Sequence, residues 1–397
     1  MRGPLTDVVV LDVSRLLAGP FCTMLLADLG ATVLKVESPG RGDMSRRMAP
    51  IVEDQSAYFI SVNRGKQSIT LNLFDPAGQA LVKRFVPKVD VLVENYVPGT
   101  MKGLGLDYES LKPLNPRLVY ASISGFGQDG PYAGRPALDV VMQAMGGLMS
   151  ITGEANGSPM RSGVSLGDSL AGLYTAFAIV AALHERHRSG VGQYIDLAML
   201  DCQVMLMENP LARYLATGDV PRRIGSRHAS ATPFQAFRTA DSHIVVAILT
   251  DDRDTWQRFC GALELPTLAD DPRFTENGSR TKNHGVLEPI LASRFAERTT
   301  AEWLTRLESA TIPCSAVNSV ADVVAHPQVR HRGMIAEVQQ GKLGAWRVAN
   351  SPFHFSASET GPQGPAPLLG EHTDAVLKER LGLSAKEIAE LRKKNVV

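Results

Sequence analysis

Asp168 is the residue most open to a chemical reading in this chain of 397 amino acids. It follows Gly167 and precedes an alanine-rich apolar segment that runs to Arg188. That placement puts a carboxylate in the positive potential of a helix N-terminus. Capping explains it without chemistry. A positioned nucleophile explains it with chemistry. The local sequence leaves both readings open.

Other reactive patterns each lack one required part. Gly125, Gly127 and Gly130 match a dinucleotide-binding fingerprint after an expected strand. Pro131 follows, and residues 132–134 open no helix, so a phosphate would meet no helix dipole. The pattern reads as a glycine turn beside a ligand. His184 and His187 stand three apart on the long helix, whereas a metalloprotease zinc pair stands four apart. They suit the negative end of a helix. Cys22 lies in an apolar helix and reads as core. Cys22, Cys202, Cys260 and Cys314 are far apart, without zinc or disulfide spacing. No metal site is expected, and a reduced, cytoplasmic setting fits.

The elements that must position Asp168 are legible as texture. Short β-branched runs occur at Val8–Leu11, Thr32–Glu37, Ser68–Leu73, Val89–Val93 and Leu118–Ser122. Helical segments at Ala18–Leu29 and Asp75–Val86 lie between them; the second opens on Asp-Pro, a cap and a first-turn proline. Strands alternating with helices predict a parallel sheet of βαβ units. Their unbroken apolar character predicts burial on both faces. Asp168–Arg188 reads as a long helix, closed by Gly190 and Gly192, and Gln193–Leu200 as a strand. Beyond about residue 218 the texture changes to an antiparallel pair, Phe234–Thr239 and His243–Leu249. Helices follow near Asp254–Leu263, Val286–Phe295 and Thr300–Ser309. Two helices, Thr373–Leu381 and Ser384–Lys393, end the chain.

Composition sets the class. Hydrophobic residues make up 44% and charged residues 21%, which is ordinary for a globular chain. Lys plus Arg equals Asp plus Glu at 41 each, so the broad positive field of a nucleic-acid binder is missing. Asp7, Asp12 and Arg15 interrupt the N-terminal apolar stretches, against a signal peptide. The apolar run from Ala171 to Leu183 falls short of the ~20 residues needed to span a bilayer, so no membrane is expected.

A series of motifs carries a wider likeness. They are Leu17-Ala-Gly-Pro20, Asp28 to Glu37, Asn63-Arg-Gly-Lys66, Val93 to Gly99, Ser124 to Pro131, Gly167-Asp168 with Ala171-Gly172, and Leu369 to Thr373. In this order they resemble the class III CoA-transferases, the family of formyl-CoA:oxalate and carnitine CoA-transferases. The resemblance implies a Rossmann-like α/β large domain built from both chain ends, with a smaller α+β domain between. The domains would be 1–200, a linker 201–224, a small domain 225–325, and a return 326–397. It also implies an interlocked, ring-like homodimer.

By the same resemblance Asp168 is the nucleophile, and coenzyme A thioesters are substrates rather than tightly bound cofactors. Leu17 and Ala18 match the loop at the reacting carbonyl. Some relatives carry glutamine at the position of Leu17; here only backbone N–H groups could donate. Leu71, Asn95, Tyr96 and Asp139 match positions lining the CoA site. Ser38, Phe74 and Gly103 replace basic residues of the oxalate-type enzymes, and Lys102 and Arg135 are candidates to supply that charge. The loop Gly225–Pro233 resembles that of members using succinyl-CoA with dicarboxylic acids. Arg227, His228 and Arg47 are therefore candidates for the acceptor's distal carboxylate, with Arg15 and Arg64 behind them. Acceptors such as glutarate, malate, itaconate, mesaconate or citramalate fit. Two alternatives remain on this fold. An α-methylacyl-CoA racemase needs two acid/base groups, but Pro136–Asp139 lacks the histidine of that branch. An acyl-CoA-binding protein without catalysis would not need Asp168.

Overall fold

The computed structural model describes residues 3–249 and 251–397. Six strands form one parallel sheet: β1 (Val9–Asp12), β2 (Thr32–Glu37), β3 (Gln67–Thr70), β4 (Val91–Glu94), β5 (Val119–Ser124) and β6 (Tyr194–Ala198). Their spatial order is 3-2-1-4-5-6, every neighbour parallel. This is the doubly wound dinucleotide-fold order, with its topological switch between β1 and β4.

The apolar runs bury both sheet faces, as their lack of alternation predicts. Leu11, Leu34, Leu92 and Tyr120 point into one core, shared with α2 (Pro76–Phe85) and with Val376, Leu377 and Ile388 of the chain end. Val10, Val33, Val91 and Val119 point into the other, against α1 (Ala18–Asp28). Asp75 caps α2 by accepting the Ala77 amide at 2.8 Å.

Three further helices complete the second core: α3 (Asp139–Met145), α4 (Leu166–Ser189) and α5 (Met199–Leu206). At 24 residues, α4 is longer than its apolar run suggests, and by length and composition it could cross a membrane. Its Ala171, Ile179 and Leu183 are nonetheless buried in the second core, while Leu173, Tyr174, Phe177 and Val180 are exposed. Gly172 permits a close crossing with α1, because a Cβ there would stand 2.6 Å from the Ala18 carbonyl oxygen.

The chain divides into two compact units. The larger holds residues 1–148, 161–217 and 327–397; the smaller holds 149–160 and 218–326. The stretch 201–224, read as linker from sequence, begins as ordered helix. Here α5 and α6 (Glu208–Thr217) continue the larger unit, because Met199 and Cys202 have a core to fill.

The smaller unit is built around an antiparallel sheet of β7 (Phe234–Arg238), β8 (His243–Ala247) and β9 (Cys314–Ala316), with β8 central. Of three helices, α7 (Arg253–Ala262), α8 (His284–Phe295) and α9 (Thr300–Ser309), the last two pack on it, and α7 packs on α9. Trp256, Phe259, Phe295 and Trp303 fill its core. In the larger unit a hairpin of β10 (Ile335–Gln339) and β11 (Ala345–Ala349) precedes the terminal helices α10 (Thr373–Leu381) and α11 (Ala385–Lys393).

Candidate active site

Ligands of doubly wound sheets bind where the strand order reverses, beyond the carboxyl ends of the strands. Here those ends are Asp12 of β1 and Glu94 of β4. The chain leaving each lines a cavity of about 660 Å³, which includes Leu17, Ala18, Asn95, Tyr96, Arg135, Asp139 and Asp168. All belong to the larger unit.

Asp168 sits in the first turn of α4, where Ser165 provides no side-chain cap. The capping role falls instead to Asp139, from a different helix. Its Oδ1 accepts the Gly167 amide at 2.8 Å, and its Oδ2 accepts Gln143 Nε2 at 2.8 Å. Capping therefore does not account for Asp168. Its carboxylate has no hydrogen-bond partner among the described residues. Burial, with the neighbouring Asp139 charge, pushes its pKa up to about 6. It is still ionised at neutral pH, yet more basic than an ordinary carboxylate.

Opposite lies the turn from β1 into α1. Leu16 there takes a left-handed backbone, φ 66°, which costs a leucine roughly 1–2 kcal/mol. Leu17 and Ala18, at the start of α1, line the cavity, and their amides have no protein partner among the described residues. They carry the positive end of the helix dipole. Asn95 grips the backbone of Arg15 at both ends, accepting its amide and donating to its carbonyl at 2.8 Å each. The Arg15 guanidinium lies 4.6 Å from the Tyr96 ring centroid.

The remaining expectations divide. Arg135 lines the cavity and stacks on Tyr132 at 3.7 Å. Lys102 is exposed and lines a separate cavity of about 420 Å³ with Glu94, Tyr108, Tyr120 and Tyr194. Leu71 is buried in the first core and does not line the Asp168 cavity. Arg47 donates to the Arg41 carbonyl at 2.6 Å, also outside that cavity. Arg64 is committed to a buried ion pair with Asp28 at 2.6 Å. Arg227 and His228 lie in the smaller unit, where the His228 ring rests 5.0 Å from that of Phe234. Sequence reasoning missed Tyr58, Met44, Met48 and Arg161, which also line the cavity. Arg161 stands seven residues before Asp168 on the loop entering α4, a position that proximity in sequence could have flagged. No group of three potential metal ligands occurs among the described residues.

Comparison with known proteins gives the family. The model of CoA-transferase family III matches residues 5–373. The human succinyl-CoA:glutarate CoA-transferase is 40% identical over 395 residues, covering 99% of this chain and 90% of that protein. The succinyl-CoA:mesaconate CoA-transferase of Haloarcula marismortui is also 40% identical, covering 95% and 96%. The crystal structure of a CAIB/BAIF family protein from Brucella suis superposes with a TM-score of 0.86 at 38% identity, covering 96% of this chain and all of that one. The chain belongs to CoA-transferase family III and is an enzyme of that class.

Proposed function

We propose that this enzyme moves CoA from succinyl-CoA to another small dicarboxylic acid of the glutarate, itaconate, malate, mesaconate or citramalate type, with Asp168 as nucleophile. The observation that carries the reading is an unpartnered, half-buried carboxylate raised to about 6, in one cavity with the Leu17 and Ala18 amides. The names of the human and archaeal relatives support the substrate class.

The steps balance without ATP. The Asp168 carboxylate attacks the thioester carbonyl, the C–S bond breaks, and CoA leaves as thiolate. The thiolate attacks the Asp168 carbonyl carbon of the mixed anhydride, and succinate leaves. The incoming acid attacks the resulting aspartyl-CoA thioester, again expelling thiolate. The thiolate then takes the new acyl group, and Asp168 regains its carboxylate. Covalent catalysis thus splits one hard exchange into four easier substitutions. Each passes through an oxyanion, for which the Leu17 and Ala18 amides are the donors. Among cations lining the cavity, Arg15, Arg135 and Arg161 are the candidates for CoA phosphates and the distal carboxylate. Arg227 stays a candidate from its loop. The working unit is a homodimer of interlocked chains. The exposed Leu173, Tyr174, Phe177 and Val180 on α4 support an interface there.

The test is a quench. Protein mixed with succinyl-CoA and treated with hydroxylamine should carry a hydroxamate at position 168, detected by peptide mass spectrometry. An unmodified position 168 in protein that is turning over would end this reading.

A further inference from the structure

The amides of residues 14, 15 and 16 are each captured by a side chain from a different part of the fold. Ser14 N donates to Asp12 Oδ1 at 3.0 Å. Arg15 N donates to Asn95 Oδ1 at 2.8 Å. Leu16 N donates to both oxygens of Asp43 at 3.2 Å. The next residues along the chain, Leu17 and Ala18, line the cavity, and their amides have no protein partner among the described residues.

Asp43 is the member that reaches the strained residue. Its side chain is fully buried and pairs with Lys35 Nζ at 3.0 Å, itself fully buried. Lys35 also donates to the Ser14 carbonyl at 3.0 Å. Asp43 Oδ1 further accepts Ser45 N and Ser45 Oγ at 2.9 and 2.8 Å. This ties the loop to the short 3-10 helix Met44–Arg47, whose Met44 lines the same cavity. Burial alone would favour a neutral acid. Lys35 and the Ser45 amide outweigh it and hold Asp43 below the usual carboxylate range. A buried ion pair seldom adds net stability over an apolar pair, and is better suited to fixing one arrangement.

We infer that Asp43, held by Lys35, is a positioning residue: it locks Leu16 left-handed so that the Leu17 and Ala18 amides point at the reacting carbonyl. The inference rests on the proposed oxyanion role of those amides. Asp43 touches no substrate, so its loss should leave CoA binding in place and weaken only what the amides do in the transition state.

The experiment uses exchange of labelled succinate into succinyl-CoA, which requires no knowledge of the acceptor. Asp43→Asn should lower kcat by about a hundredfold with KM for succinyl-CoA within about twofold. Lys35→Met/Asp43→Asn removes both charges together, so no charge is left stranded, and should show the same split while remaining folded by circular dichroism. Adding Leu16→Gly to Asp43→Asn should recover roughly tenfold in kcat, because glycine takes a left-handed φ without being forced. A purely structural Asp43 would give no such recovery. Exchange by the folded double variant at the wild-type rate, or equal losses in kcat and 1/KM, would overturn the inference. Wild-type protein that neither exchanges succinate nor yields a hydroxamate at 168 would overturn the underlying reading and this one with it. A wild type that does both, beside an unaffected Asp43→Asn, would sink the positioning role alone.

Discussion

Asp12, fully buried, and Asp168, half-buried, are two acids of the larger unit whose surroundings are opposite. Asp12 receives the Ser14 amide and hydroxyl at one oxygen, and Thr23 Oγ1 and Lys66 Nζ at the other. Burial would raise its pKa, but Lys66, Lys35 and these hydroxyls bring it down to about 2. Asp168 has burial and a second acid beside it, with nothing to offset either, and stands near 6. The first acid is held ionised, and its lone pairs are occupied in holding structure. The second is left basic with its lone pairs open. The same residue type is committed to the scaffold in one place and left available in the other, where the proposed chemistry would use it, and the number of donors around it makes the difference.

The comparison is broken most severely at Asp168. Asp168→Ala should fold and lose at least about a thousandfold in kcat, since the covalent route is gone. Succinate exchange beside a thermal melt measures both. Next in size is the scaffold acid's partner. Lys66→Met strands Asp12 in the interior and should cost about 3–5 kcal/mol of stability, seen in urea titration, with Tm falling accordingly. Asp12 itself contributes stability that is present above its unfolded pKa of 3.8 and lost as pH falls toward about 2.

The pH dependence gives a sharper contrast. Asp168 must be a carboxylate to attack, so kcat/KM should rise with pH through about 6. Asp139→Asn removes the neighbouring charge and should move that rise to lower pH. An unmoved profile would mean that burial alone sets it. The smallest effect is on stability. A raised carboxyl pKa means that the folded state binds the proton more tightly, so ionised Asp168 opposes folding above pH 6. Asp168→Asn should therefore gain about 1 kcal/mol at pH 7.5, the full shift being discounted because the carboxyl is half open to water. The gain should vanish below about pH 4. Paired melts at the two pH values would show it.

Much of this architecture can be read from the chain. Thr32–Glu37, Thr300–Ser309 and Thr373–Leu381 stand where the texture of the sequence puts them. Local signals write such elements. The strand Cys314–Ala316 and the hairpin at 335–349 escaped, being short and weakly apolar, and they exist because neighbours pair with them. Of the residues lining the cavity, Asp168, Leu17 and Ala18 were named from family motifs. Arg64, a plausible substrate cation on paper, is spent on Asp28. Asn95 is spent on Arg15. A sequence lists groups able to make contacts but not which contacts have already used them. Asp43 and Asp139 went unread in their roles for that reason: each acts on a backbone amide far away along the chain.

The crossing at Gly172 bears on how substrate range can change. The start of α1 and the second turn of α4 are pressed together with no room even for a methyl group. The carboxyl at 168 and the backbone at 17 and 18 thus ride on a single welded joint. Selection for a longer or bulkier acceptor has little freedom there. It must act on other lining residues instead, such as Met44, Met48 and Tyr58, which belong to neither helix of the joint.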